Sequence, residues 1–412
     1  METSNPIRDG SVEPANVAAE TENRSNSETE RRTAIGIAVG DGFGALETRS
    51  ARRPRELFDC PLANIWRLAR RSKSAHGCDR PRTDKGERVL IALFVMVLAA
   101  LPLRASASDC EDRHPTGDAW FTGPMLANTA ATAPRGHYMA ETYLYDVTSQ
   151  GSYNRGGARQ SAPHANGYGS LTYLIYGVTD RFAAGLVPTA GYNTVSGGLS
   201  SARPGMGDLS ILLQRRFTQF NPCNHVPIVS LAVEETLPTG KYDRLGDRPS
   251  NGVGQGAFTT MPALYSQMYF WLPNRRIVRT RIDVSDAIST TADVRGVSVY
   301  GTDAGFRGTA HPGSSLYIDT SVEYSASRSW VLAMDATYRN TGNTRIIGTD
   351  ASGSATTTVR LNTGWSDTYS LAPAVEYSWK STLGVLLGVR LTPAGHNTSN
   401  TVTPAIAINF VH

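Results

Sequence analysis

The sequence predicts an all-β chain closed into a single antiparallel transmembrane β-barrel of about 12 strands. Three observations predict it. The last third of the chain alternates apolar residues with small or polar ones almost one for one. The alternating runs are about ten residues long, the length that crosses a bilayer at a tilt. Short and long connections take turns between them, as short periplasmic turns and long extracellular loops do in bacterial barrels.

The bulk numbers agree with that class. The chain has 412 residues, a net charge of +4 and 18% charged residues. Its mean hydropathy is −0.27. A helical membrane protein would be far more apolar, whereas a barrel turns only every second strand residue to lipid. The charge is too mild to suggest a nucleic-acid partner.

The elements follow in chain order. Residues 1–88 are polar and aperiodic, and read as a disordered extension. Either the coding start is set too far upstream, or this is a real long leader. Val89–Leu101 is a short apolar run. Arg80, Arg82, Lys85 and Arg88 precede it, and Ala105-Ser106-Ala107 follows. That reads as a secretory signal peptide over 89–107, cleaved near Ala107, which exports the chain. The barrel pattern then places it in the bacterial outer membrane. Residues 108–135 carry Pro115, Pro124, Pro134 and Trp120-Phe121, and form a periplasmic tether or a lumen plug. The barrel occupies 136–412.

Twelve strands are expected at 137–147, 168–178, 181–192, 206–217, 227–237, 255–270, 276–289, 314–325, 329–339, 366–379, 382–391 and 401–410. Period two puts successive side chains on opposite faces. In the tenth strand Tyr369, Leu371, Pro373, Val375, Tyr377 and Trp379 face lipid, and Glu376 lies on the other face. In the eleventh, Leu383, Val385, Leu387, Val389 and Leu391 face lipid, opposite Arg390. In the twelfth, Val402, Pro404, Ile406, Ile408 and Phe410 do so. The apolar run ending in Phe410 is the assembly signal that the barrel-assembly machinery would read. Long loops are expected after the odd strands, the last of them Thr392–Asn400.

The same alternation lists the lumen. Candidates to line it are Asp208, Arg216, Glu234, Asp319, Glu323, Asp335, Arg339, Glu376 and Arg390. Both signs are present, so the interior is either a salt-bridged filling or a selective conduit. Around Arg279 and Arg281 the facing stays open. An even strand count places Cys110 and the turn holding Cys223 on the periplasmic side, where a disulfide persists if the two pair.

No motif nominates an enzyme, a metal or a cofactor. Thr239-Gly240-Lys241 lacks the first glycine of a phosphate loop and the helix that should follow it. The histidines are scattered singly, without metal-ligand spacing. A membrane-embedded hydrolase would need a nucleophile and base within hydrogen-bond reach at the rim.

Three short motifs carry a family likeness. Pro204-Gly205-Met206-Gly207-Asp208-Leu209, Leu237-Pro238-Thr239-Gly240-Lys241-Tyr242-Asp243 and Gly252-Val253-Gly254-Gln255-Gly256 resemble, in order and spacing, segments of an outer-membrane family. That family is named for the meta-pathway of phenol degradation. Pro134-Arg135-Gly136 is also similar. The resemblance implies a transporter of hydrophobic or aromatic compounds. The expectation is a channel through which small molecules diffuse, with loop three (Pro238–Gly254) and the lumen residues setting specificity. The alternative is a closed barrel with a structural or surface role.

Overall fold

The computed structural model describes residues 116–222, 225–351 and 356–412, and a two-residue pairing of Pro14–Ala15 with Ala38–Val39. Those four residues apart, the expected disordered extension lies outside the described residues. So do the signal peptide, Cys110 and Cys223.

Twelve strands form one closed antiparallel barrel. They are β1 (Tyr138–Tyr153), β2 (Ala165–Thr179), β3 (Phe182–Val187 and Thr189–Val195, interrupted at Pro188) and β4 (Leu209–Arg216). Next come β5 (Ile228–Leu237), β6 (Thr259–Trp271), β7 (Ile277–Ser289) and β8 (Ser315–Ser325). The last are β9 (Trp330–Thr341), β10 (Ser366–Lys380), β11 (Leu383–His396) and β12 (Thr398–Val411). Each pairs with the next, and β12 returns to β1 from Thr398↔Tyr153 to Val411↔Met139. Closure leaves no backbone edge open to lipid, where an unpaired N–H or C=O would cost several kcal/mol.

The expected facing of β10 to β12 holds. Leu387 and Ile408 are more than half exposed on the outer surface, and Leu386 and Ala407 beside them are fully buried inside. Lipid covers the exposed set in a membrane. Aromatic pairs mark both edges of this band. At the periplasmic edge Trp330 packs on Tyr377 with centroids 4.7 Å apart, and Tyr138 on Phe410 at 6.1 Å. At the outer edge Tyr338 packs on Tyr369 at 5.0 Å. Trp330 and Tyr338 stand eight residues apart on β9, about 27 Å along the strand. At a tilt near 40° that is roughly 20 Å of membrane, close to the apolar band of such barrels. This is the architecture of a bacterial outer-membrane barrel.

The outer ends differ from expectation. Thr392–Asn400 is not a loop: β11 runs to His396, β12 starts at Thr398, and Asn397 turns between them at φ 48°. β1 likewise continues to Tyr153. Thr, Ser and Asn fill both faces there, so the strands pair above the apolar band with no periodic contrast to announce them. Loops four and five contain a four-stranded sheet instead of irregular chain. Its strands, in order, are Ala292–Arg295, Phe306–His311, Arg345–Asp350 and Thr357–Asn362. One face of this cap buries Val294, Phe306, Ala310 and Ile346 against Leu245, Ala257, Val299 and Tyr300 from loops three and four.

Candidate functional site in the barrel interior

Residues 119–133 run through the inside of the barrel and are almost entirely buried. The segment begins beside the β8–β9 turn, where Trp120 donates its backbone N–H to Arg328 O at 2.8 Å. It ends beside the β2–β3 turn, where Thr132 Oγ1 donates to Asp180 O at 2.8 Å. Pro124 and Pro134 favour extended backbone, and an extended chain has no internal partners for its own N–H groups. Wall carboxylates accept them. Glu376 Oε2 takes Thr122 N–H at 2.5 Å and Gly123 N–H at 2.9 Å. Asp335 takes three in a row, from Met125 (3.0 Å), Leu126 (3.3 Å) and Ala127 (3.1 Å). Asp283 takes the next, from Asn128.

The segment's carbonyls are met by donors on the wall. Arg281 Nη1 donates to Ala127 O at 2.9 Å, Gln214 Nε2 to Thr129 O at 2.9 Å, and the Ser230 hydroxyl to Ala130 O. Small residues, among them Ala127, Ala130, Ala131 and Ala133, let the backbone approach the wall this closely.

Next to the segment lies a fully buried charge cluster. Arg279 clamps Glu323 through Nε–Oε2 and Nη2–Oε1, both 2.5 Å, with neither side chain exposed. Arg281 Nε approaches the same carboxylate at 3.5 Å. The Arg279 guanidinium also lies over the Phe121 ring, 4.3 Å from its centroid. Fork-to-fork geometry and an aromatic face are what arginine offers where a buried charge must be held.

The sequence candidates fall in different parts of the barrel. Glu323, Asp335 and Glu376 meet in the cluster around the inner segment. Asp319 is buried close by and accepts the Tyr317 hydroxyl at 3.0 Å. Arg339 stacks over Tyr317 at 5.0 Å, while Glu234 and Arg390 are buried on the inner face of β5 and β11. Arg216 sits at the periplasmic rim, its Nη2 on Asp180 O at 2.9 Å. Asp208 is at the opposite end, in the loops. Residues left out of the candidate set are Arg279, Arg281 and Asp283, which share the inner face of β7. Their spacing, R-x-R-x-D, was a legible period-two signal, masked by Thr280 on the lipid side.

Asp208 ties the three motifs of the family likeness into one knot at the outer rim. Its Oδ1 accepts Gly240 N–H at 2.8 Å, and its Oδ2 accepts Gln255 N–H at 2.7 Å. Gly240 and Gly254 touch backbone to backbone: a Cβ on Gly254 would lie 2.6 Å from the Gly240 carbonyl. Thr239 Oγ1 accepts Leu209 N–H at 3.0 Å. These glycines serve close approach, and the motif residues hold loop three onto the barrel.

Two sites outside the membrane band have distinctive chemistry. His396 Nδ1 lies 2.7 Å from Asp367 Oδ1, and its Nε2 faces Gly157. In the cap, Tyr300 donates to Gln255 O at 2.5 Å, and burial raises its phenol above the ordinary value, with Asp208 and Tyr242 adding to the effect. No group of three or more metal-ligating side chains occurs among the described residues.

Comparison with known proteins gives the class of the molecule through its fold. The crystal structure of an outer membrane channel from Pseudomonas putida F1 superposes with a TM-score of 0.51 at 16% identity. The match covers 69% of this chain and 98% of that one. The β domain of a Bordetella autotransporter matches less well, with a TM-score of 0.37 at 13% identity over 67% and 99% of the two chains. A deletion mutant of the TodX monoaromatic hydrocarbon channel reaches 0.32 at 10% identity, over 68% and 90%. Of these three, only the first is close enough to bear on the fold. No family model matches the chain, and no curated protein does.

Proposed function

We propose that this chain is an outer-membrane channel for small molecules, with hydrophobic or aromatic compounds as the substrate class. The observation that carries the channel reading is how the interior is filled. A separate, small-residue segment occupies it, fastened through its backbone to Glu376, Asp335 and Asp283. A barrel closed for good could fill its lumen with wall side chains alone. A detachable filling gives a path that opens when the segment shifts, with the freed carboxylates and arginines lining it. The substrate class rests on the motif resemblance, and the channel named above supports the transport role.

Planar-bilayer recording tests this. The native barrel should show small or intermittent conductance. Asp335→Asn with Glu376→Gln should raise the open fraction several-fold, because neutral side chains hold the N–H groups less strongly. Silence from both proteins, with unchanged uptake of aromatic compounds in a deletion strain, would overturn the proposal. A closed structural barrel would then stand, and the buried Arg279–Glu323 clamp is the observation that favours it.

The interior is proposed as a path and not as an active site. His396 and Asp367 are paired as a hydrolase would pair them, but Nε2 faces Gly157, where a side chain's Cβ would lie only 3.0 Å away.

A further inference from the structure

The exposed face of the cap sheet is cationic in an unusual way. Strand alternation places Asp293, Arg295, Arg307, Thr309, His311, Arg345, Ile347, Thr349, Thr358 and Arg360 on the side away from the cap's apolar core. Four are arginines and one is a carboxylate. Arg295 and Arg307 are direct cross-strand partners, and His311 is the partner of Arg345. Like charges directly opposite each other on a sheet are destabilising. No ion pair to any of the four arginines is found among the described residues. The opposite face of the same sheet carries the apolar side chains that build the cap, so burial on that face fixes which side the arginines take.

Position narrows the counter-charge. Arg345 follows Thr341, the outer end of β9, within about 14 Å of chain. Tyr338 on that strand marks the outer edge of the apolar band. Arg345 comes seven residues after Tyr338, so the base of the arginine face stands within about 24 Å of the edge of the apolar band, the zone of outer-leaflet headgroups and their sugars. Ile347 gives it an apolar foothold, 41% exposed. Guanidinium pairs set a strand apart match phosphate groups, which accept two N–H donors at once.

We infer that this face docks the phosphate groups of outer-leaflet glycolipid, the lipopolysaccharide that surrounds the barrel. The anion relieves the Arg295–Arg307 repulsion and pins the cap to the membrane surface. This inference is independent of what the lumen passes.

The test is binding of the purified full-length barrel, in detergent, to rough lipopolysaccharide and to the same glycolipid after its phosphates are removed. The native protein should bind the phosphorylated form and lose it on dephosphorylation. Arg295→Gln, Arg307→Gln, Arg345→Gln and Arg360→Gln together should weaken binding about tenfold or more. A control removing charge at Arg155, Arg159 and Arg203 should leave it unchanged. Arg307→Gln alone should slow proteolysis of the unliganded cap, since it removes the repulsive pair, while still weakening glycolipid binding. Equal binding by the quadruple variant, an equal loss in the control, or full displacement by millimolar inorganic phosphate would each overturn the inference. So would a changed anion selectivity with glycolipid binding intact, which would make the arginines a funnel for solutes.

Discussion

Asp335 accepts three consecutive backbone N–H groups deep in the barrel, and few residues have so much resting on one side chain. Asp335→Ala would leave all three buried and unsatisfied. At about 1–3 kcal/mol each, the loss is on the order of 3 kcal/mol or more, unless the segment leaves its place. Asp335→Asn keeps the shape and one acceptor oxygen, and should cost roughly half as much. Urea unfolding of the refolded barrel separates the two variants; equal stability of both with the native protein would mean the segment is not held by this carboxylate. The sequence announced Asp335 as inward-facing. What it could not announce was the partner, because residues 125–127 lie more than 200 positions away and are ordinary backbone.

At the scale of elements, the cap shows how irregular-looking loops become structure. Each cap strand is too short to bury a face alone. Together they cover one apolar core, with Tyr300 fastened to Gln255 beneath them. Burial raises the Tyr300 phenol above its ordinary 10.0, so its folded value exceeds its unfolded one. The stability it contributes is then fully present below pH 10 and lost as pH rises from there through the folded value. Limited proteolysis of the cap should accelerate above about pH 10 in the native protein. Tyr300→Phe should flatten that alkaline rise, at the expense of about 1 kcal/mol from the lost hydrogen bond at neutral pH. An alkaline slope unchanged by the substitution would assign it to another group. The knot beneath the cap explains why the family-like motifs are glycine-rich. Gly254→Ala would set a methyl 2.6 Å from the Gly240 carbonyl and should loosen loop three.

The whole molecule has two unlike ends, and orientation follows from them. Turns such as that between β8 and β9 are short, while the loops at the other end build a folded cap. A cysteine placed at exposed Thr349 should react with an impermeant maleimide on intact cells. One placed at Ser327, in the β8–β9 turn, should react only after the outer membrane is permeabilised. The reverse pattern would invert the barrel and remove the glycolipid face from its partner.

Alternation, joined to the rhythm of short turns and long loops, determined the strand number, the lipid face and, opposite it, the inward face. It did so because a barrel wall sorts side chains locally, one residue to lipid and the next inside, over ten residues at a time. The tertiary structure alone decided what those inward residues meet. The inner segment, the Arg279–Glu323 clamp, the Asp208 knot and the cap are all contacts between distant parts of the chain. Hydrogen bonds to backbone N–H groups leave no mark in side-chain pattern, and a short strand pairs only once its neighbour has been brought beside it.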